Sequence, residues 1–149
     1  MLAASYLIEV RKNTNLHRRR KTLNVVRNLM DSWDSILQQQ KEICKGLQAK
    51  WVPVDKNSLI GFNESIFSSR QPVNGLRHPK HGQIDGWYLW SGEEMPQSDD
   101  NFFQPIHVEH LIEKRPLVLK YLGLPPGWRF QIDDSGYEDI WFDKAILDI

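Results

Sequence analysis

The sequence has little cysteine, no net charge and no long hydrophobic run. Its 149 residues include a single cysteine, Cys44, which excludes a framework of internal disulfides and is typical of a reducing compartment. No stretch reaches the roughly 18 consecutive apolar residues that a membrane-spanning helix needs. The 19 basic and 19 acidic side chains cancel. We therefore expect a soluble cytoplasmic protein without a membrane partner.

Enough apolar surface is present for a folded core. Hydrophobic residues make up 40% of the chain, aromatic residues 11%, and six residues are tryptophans, which excludes generic disorder. A chain of this length buries roughly 68–70% of the surface that it exposes when unfolded, so we expect one globular domain. The sequence contains no phosphate-binding glycine loop, nucleophile elbow or zinc-ribbon cysteine set. The sequence therefore carries no recognised catalytic signature that would indicate an enzyme.

The balanced total charge conceals an uneven distribution along the chain. Residues 1–29 carry seven basic side chains and one acidic side chain, and residues 30–149 carry the other twelve basic and eighteen acidic ones. This asymmetry predicts a basic N-terminal extension over 1–29, helical or disordered, and a compact domain over 30–149. Three interpretations of the extension stay open: a targeting sequence, an upstream addition to the native protein, or an arm that contacts nucleic-acid phosphates. We expect no nucleic-acid partner elsewhere in the chain.

Helical periodicity appears in two places. An amphipathic helix is predicted over 31–49, with Cys44 on its apolar face, where a buried thiol packs as a small hydrophobe. A second helix is predicted to begin at Pro105. Pro116 should end or kink it and open a further turn that runs to about Leu122.

The segments between these helices predict strands and one long loop. The apolar runs 51–54 and 58–62 are separated by a turn-like interval, which predicts a hairpin or two neighbouring strands. Residues 63–85 lack a clear period and contain the turn signal Asn74-Gly75, so we expect a long loop there.

Three further strands are predicted, one of them rich in aromatic residues. Residues 86–92 form a strand in which Trp87 and Trp90, three positions apart, point to opposite faces, so that at least one of them is partly exposed. The runs 128–132 and 137–143 flank a glycine-containing turn and predict a hairpin. The fold class is therefore α+β, a single domain with a mainly antiparallel sheet flanked by an N-terminal helix and a mid-chain helix.

Two histidine pairs raise the possibility of metal chemistry. His78 and His81 lie in the predicted loop, and His107 and His110 lie on one face of the predicted mid-chain helix. Convergence of the four rings would supply the ligands of a zinc site and predict a small metal-dependent enzyme. Histidines near a helix start more often bond to backbone or to carboxylates, so we treat this enzyme as an alternative and expect no cofactor.

Acidic residues occur as four adjacent pairs, three in predicted loops and turns and one in the predicted strand 137–143. The first two pairs are Glu93, Glu94, Asp99 and Asp100. The other two pairs are Asp133, Asp134, Glu138 and Asp139. Acids spread over several loops indicate an electronegative surface, which steers association with a basic partner.

Five segments carry a resemblance to a known family. They are VNGLRHP (73–79), GWYLWSGEE (86–94), FFQPIHVEHL (102–111), YLGLPPGWRF (121–130) and GYEDIWFD (136–143). In this order they resemble the immunity protein 33 family, the small cytosolic immunity proteins of bacterial polymorphic toxin systems. The resemblance extends from about Met30 to the C-terminus. It implies a non-enzymatic protein that binds and neutralises a cognate toxin, and it supplies no catalytic or cofactor-binding residue.

The resemblance and the acidic pairs together predict a toxin-binding surface. We expect a basic toxin that contacts the first acidic group, with Trp90 as an apolar anchor. The second acidic group forms a competing candidate face, and the sequence does not rank the two. A third functional alternative is a regulatory module that binds a small ligand or peptide through the aromatic strand 86–92.

Overall fold

A computed structural model gives the fold of the chain and describes residues 20–21, 32–93 and 100–148. Backbone contacts divide the chain into two units, Met1–Ile36 and Leu37–Ile149, and every strand of the described residues belongs to the second unit. The boundary predicted between residues 29 and 30 lies outside the described residues. None of the described helices is both long enough and apolar enough to cross a lipid bilayer.

The predicted N-terminal helix is present as α1, residues 32–46. Its Gln40 side chain is fully buried and has a hydrogen-bond partner at each end of the amide. Nε2 donates to the carbonyl oxygen of Leu119 at 2.8 Å, and Oε1 accepts from Nε1 of Trp51 at 3.1 Å. Burial of a polar group that is paired in this way costs little free energy of folding. Through these two bonds Gln40 fixes the contact between α1 and the later chain.

One six-stranded sheet with the order β4-β1-β3-β2-β5-β6 forms the centre of the second unit. Its strands are β1 (Leu59–Phe62), β2 (Val73–Arg77), β3 (Ile84–Ser91), β4 (Gln104–His107), β5 (Trp128–Ile132) and β6 (Glu138–Phe142). Short helices accompany it: α2 (Glu109–Lys114) and the 3-10 helices Glu64–Phe67, Pro116–Tyr121 and Lys144–Leu147. β1 and β3 are parallel, and the other four pairs are antiparallel. The predicted α+β class and C-terminal hairpin are confirmed.

The prediction of a hairpin or two neighbouring strands over 51–54 and 58–62 is wrong. Residues 51–54 form no strand, because the N–H of Val52 donates to the carbonyl oxygen of Gly123 at 2.8 Å and the Val52 carbonyl oxygen accepts from Arg77. The second run forms β1, which pairs with β3 and β4 instead. The backbone groups of Val52 thus bond to Gly123 and to the buried side chain of Arg77, and not to a neighbouring strand as the local sequence predicts.

The long loop predicted over 63–85 contains the central strand β2, so the turn predicted at Asn74-Gly75 is also wrong. A Cβ atom on Gly75 would lie 2.2 Å from Cε1 of Phe130, so glycine is needed for that ring to pack across the strand. Asn74 is 6% exposed, and its Nδ2 donates to the carbonyl oxygen of Gly92 at 2.8 Å. Within β2, Gly75 thus leaves space for the Phe130 ring, and Asn74 forms a side-chain hydrogen bond.

The helix predicted from Pro105 begins later. Pro105 lies in β4, opposite Gly61, and β4 is an edge strand, where proline is tolerated because one side of the strand needs no ladder hydrogen bonds. Helix α2 begins at Glu109. The further turn predicted after Pro116 is confirmed as a 3-10 helix that ends at Tyr121.

Trp87 and Trp90 lie on opposite faces of β3, as predicted, but both are buried. Trp87 is 0% exposed and donates from Nε1 to the carbonyl oxygen of Leu122 at 3.1 Å. Trp90 is 4% exposed, and its ring centroid lies 6.0 Å from that of Phe103. The expectation that one of them is partly exposed is wrong, because the centre of the sheet is covered on both faces.

Arg77, the last residue of β2, connects three parts of this fold through one buried side chain. It is 3% exposed. Nη1 donates to the carbonyl oxygens of Val52 at 2.6 Å and Leu124 at 2.7 Å, and Nη2 donates to Oδ1 of Asp85 at 3.2 Å. Burial lowers the pKa of Arg77 and the Asp85 carboxylate opposes that shift, so the guanidinium stays charged.

We expect Arg77→Met to lower the free energy of unfolding by roughly 3–5 kcal/mol, because two buried carbonyl oxygens and a carboxylate lose their donor. Arg129→Met is the matched control: Arg129 Nη1 lies 3.0 Å from Asp143 Oδ2, but both side chains are about one quarter exposed. That pair contributes about 1 kcal/mol or less. Urea denaturation of both variants measures the difference. Equal losses would show that burial does not set the importance of Arg77.

Cys44 is buried, as predicted, and its thiol donates to the carbonyl oxygen of Gly123 at 3.4 Å. Burial raises the pKa of the Cys44 thiol, and the positive charge of Arg77 lowers it by less. Thiol reagents attack the thiolate, so we expect modification of Cys44 in the folded chain to be at least about tenfold slower than in the chain unfolded in guanidinium. A colorimetric thiol assay measures both rates, and equal rates would contradict the burial of this thiol.

Candidate partner-binding site

Two acidic segments that are far apart in sequence leave the sheet at the same end. Val73, the first residue of β2, pairs with Ser91 of β3 on one side and with Ile132 of β5 on the other. The chain therefore enters the segment of Glu93 on one side of β2 and the segment of Asp133 on the other. Since neighbouring strands lie about 4.8 Å apart, the two exits are separated by roughly 10 Å.

The ends of β1 and β4 bring two more acids to this end. Phe62, the last residue of β1, pairs with Gln104, the first residue of β4, and β1 is parallel to β3. Glu64 follows β1, and Asp100 precedes β4 by a few residues. We call this surface the acidic end and define it by the acids Glu64, Glu93, Asp100, Asp133, Asp134 and Glu138.

The first predicted acidic group is only partly within the described residues. Glu93 and Asp100 are exposed, whereas Glu94 and Asp99 lie outside the described residues. Trp90, the expected apolar anchor beside this group, is 4% exposed and belongs to the core. The acids of this group therefore reach solvent where they are described, and Trp90 does not.

In the second predicted group, one acid has a local structural role. Oδ1 of Asp133 accepts from the backbone N–H groups of Ser135 at 2.8 Å and Tyr137 at 2.9 Å, which closes the turn between β5 and β6. Gly136 in this turn has φ +93°, a value that favours glycine. Asp139, one residue beyond the acidic end on the edge strand β6, is exposed.

Asp134 and Glu138 connect the hairpin to neighbouring segments. Oδ2 of Asp134 accepts from Nε2 of Gln71 at 2.9 Å, and its Oδ1 lies 3.7 Å from Nη2 of Arg115. Glu138 accepts a hydrogen bond from the hydroxyl of Tyr121. Burial, and next this bond, raise the pKa of Tyr121. The hairpin is thus held in place while Asp134 and Glu138 remain exposed.

A cleft of about 440 Å³ opens at the acidic end beside the exit of β3. Arg70, Gln71, Ser91 and Glu93 are among its lining residues. Oε1 of Gln71 and Oγ of Ser91 are buried and have no hydrogen-bond partner among the described residues. Among the described lining residues, Gln71 and Ser91 thus each carry a buried oxygen without a partner, and they lie beside the carboxylate of Glu93 and the cationic side chain of Arg70.

Two exposed aromatic residues at the acidic end were not predicted as site residues. Tyr137, in the β5–β6 turn, is 48% exposed, and Phe67, in the 3-10 helix that follows β1, is 38% exposed. For Tyr137 the sequence contains a signal of exposure, because this residue directly follows a turn glycine and lies between two acidic pairs. Exposed aromatic residues beside charges are typical of binding surfaces.

The four histidines do not form the predicted metal site. His107 lies in β4 and His110 in α2, so the helical spacing assumed for this pair does not apply. The Nδ1 atoms of His107 and His78 lie 3.0 Å and 2.9 Å from the carbonyl oxygens of Asn57 and Ile146. Within residues 20–21, 32–93 and 100–148, no three His, Cys, Asp or Glu side chains are placed to hold a metal ion.

Comparison with known families gives a match over most of this fold. The family model of the Imm33-like domain matches residues 39–143, a range that contains all six strands and α2. No curated protein sequence and no solved structure matches the chain. The matched range includes the five segments that carry the resemblance to immunity protein 33, and the chain belongs to the Imm33-like domain family.

Proposed function

We propose that this protein is a cytoplasmic immunity protein that binds a basic cognate toxin at its acidic end and neutralises it without catalysis. Membership of the Imm33-like family supports the immunity role. The observation that carries the choice of surface is the pairing of Val73 with both Ser91 and Ile132. Because of this pairing, the chain leaves β3 towards Glu93 and leaves β5 towards Asp133 at the same end of the sheet, which supports a single partner that contacts both segments.

Charge complementarity gives the proposed surface a physical mechanism. Acids carried by separate segments create a negative potential that accelerates encounter with a basic partner. Many toxins that act on nucleic acid need a basic surface for their substrate, and an acidic protein bound there occludes it. Inhibition then requires only steric and electrostatic exclusion.

Exposed aromatic residues supply the second component of the proposed interface. Electrostatic attraction sets the rate of association more than the final affinity, and aromatic side chains usually dominate the affinity. Tyr137 lies within the acidic turn and is 48% exposed. In our proposal it takes the role of apolar anchor that the sequence suggested for Trp90.

Charge reversal at the acidic end tests the proposed electrostatics. In the triple variant Glu93→Lys, Asp100→Lys and Asp134→Lys, each substituted side chain is exposed. We expect the affinity for the cognate toxin domain, the product of a neighbouring toxin-like gene, to fall at least about 100-fold. The salt dependence of the remaining affinity should also decrease. Binding titrations at about 0.05 M and 0.5 M salt, with survival of cells that co-express both proteins, measure the effect.

A second triple variant with the same change in net charge is the matched control. It substitutes Glu42→Lys, Asp55→Lys and Asp148→Lys, which are also exposed but lie outside the acidic end. We expect its affinity to change less than about threefold, the size of a long-range charge effect at physiological salt. Equal losses in the two triple variants, or none in either, would overturn the acidic end as the toxin-binding surface.

Truncation of Tyr137 tests the proposed anchor. We expect Tyr137→Ala to weaken toxin binding at least about tenfold, mainly through faster dissociation, because a central aromatic contact is lost. Phe142→Ala is the control, since Phe142 is 50% exposed on the same strand pair but at its other end. Dissociation rates of both complexes decide the outcome. A larger effect of Phe142→Ala would place the interface at the opposite end of β6.

A further inference from the structure

A second cavity, of about 400 Å³, lies where β2 passes into β3. We call it the histidine pocket and define it by the lining residues Leu76, His78, Lys80, His81, Tyr88 and Phe103. Its volume lies within the range of small-molecule sites, about 300–1,000 Å³. The proposed toxin-binding surface does not include it, and its lining residues belong to different segments of the chain.

The connection between β2 and β3 holds the histidine side of the pocket in place. The backbone N–H of His78 donates to the carbonyl oxygen of Gly86 at 2.9 Å, and His81 and Ile84 exchange two backbone hydrogen bonds at 3.3 Å. The turn between them contains Gly82, with φ +61°. The pocket wall is therefore part of a hydrogen-bonded hairpin and not of an open loop, so little ordering is needed for a ligand to bind.

The aromatic side of the pocket is equally fixed. The ring of Tyr88 contacts two other rings, with centroid distances of 5.4 Å to His78 and 5.0 Å to Phe103, both in edge-to-face geometry. A Cβ atom on Gly61 would lie 2.5 Å from Cδ1 of Tyr88, so the Tyr88 ring packs directly on the neighbouring strand. Tyr88 thus contacts both Phe103 and the histidine segment.

The charges of the pocket are arranged unequally around this aromatic centre. His78, Lys80 and His81 all come from one short segment, and no acid is among the lining residues that the structure describes. Asp85, the nearest acid in sequence, is bonded to Arg77. His78 uses Nδ1 for its contact with the carbonyl oxygen of Ile146 at 2.9 Å, which leaves Nε2 as the ring nitrogen outside that contact.

We infer that the histidine pocket binds a small amphipathic carboxylate, with its apolar body against Leu76, Tyr88 and Phe103 and its carboxylate beside Lys80 and His81. Lysine donates three hydrogen bonds and a histidine ring at least one, and bonds from a cation to a carboxylate are stronger than neutral ones. A single charged head group matches donors that lie at one side only. This inference is independent of the proposed immunity role and develops the alternative of a ligand-binding module on strand 86–92.

Titration calorimetry of the full chain with matched probes tests the inference. The probes are 3-phenylpropionate, its alcohol analogue 3-phenylpropanol, its amine analogue 3-phenylpropylamine, and inorganic phosphate. We expect saturable binding of the carboxylate, at least about tenfold tighter than binding of the alcohol. Equal binding of the alcohol and the carboxylate, tighter binding of phosphate, or no saturable binding of the carboxylate up to about 10 mM would overturn the inference.

Two double variants locate the binding. Lys80→Ala with His81→Ala removes two exposed side chains of the pocket, and we expect it to weaken carboxylate binding at least about tenfold. Lys45→Ala with His110→Ala removes the same residue types, also exposed, outside the pocket and should leave binding within about twofold. Equal effects of the two variants would overturn the inference.

A measurement on the unmodified chain provides a second criterion that does not depend on how the variants fold. Ring-proton shifts in nuclear magnetic resonance spectra report contact with an aromatic ligand at Tyr88 and Phe103. We expect 3-phenylpropionate to move these resonances with the same saturation curve that calorimetry gives. Shifts confined to other aromatic residues would show that the carboxylate binds elsewhere and would overturn the inference.

Discussion

The hydrogen bonds of the buried Arg77 guanidinium are the interactions on which the arrangement of the fold depends most. The guanidinium bonds to the carbonyl oxygens of Val52 and Leu124 and to Asp85, so it joins two segments without strand pairing to the end of β2. Water cannot replace these hydrogen bonds at a buried site. Loss of the Arg77 side chain therefore lowers the stability of the fold substantially. Asn74 acts similarly near the other end of β2, where it donates to Gly92 and accepts from Gln131.

Both candidate sites follow from these two fixed ends of β2. Beyond Arg77 the chain continues directly into the histidine pocket, and before Asn74 it passes through Gln71, which bonds to Asp134 of the acidic end. The two surfaces are therefore at opposite ends of the same central strand. One offers exposed aromatic rings and carboxylates, two of which pair with Arg115 and Lys120, and the other offers histidine and lysine side chains beside apolar residues. Their chemistry suits partners of opposite charge.

The sequence predicts those parts of the fold that depend on local signals. Helix α1 has a clear apolar period, and the β5–β6 hairpin has alternation on both sides of a glycine turn. Strand β2 was missed because every one of its residues is buried, which removes the alternation, and because Asn74-Gly75 is a strong turn signal. Only the ring of Phe130, distant in sequence, explains why Gly75 is needed in a strand. Such contacts between distant segments leave no local trace.

The candidate site shows the same division between local and long-range information. Each acidic pair is recognisable in the sequence, but the sequence does not indicate that the segments of Glu93 and Asp133 lie at one end of the sheet, since this depends on β2 lying between β3 and β5. The opposite faces of Trp87 and Trp90 followed from strand geometry, whereas the burial of both depends on segments that cover each face. The acids of the acidic end come from separate segments, so they are neighbours only in the folded chain, where strand pairing brings those segments together. The proposed recognition by charge at this end therefore depends on the packing around β2.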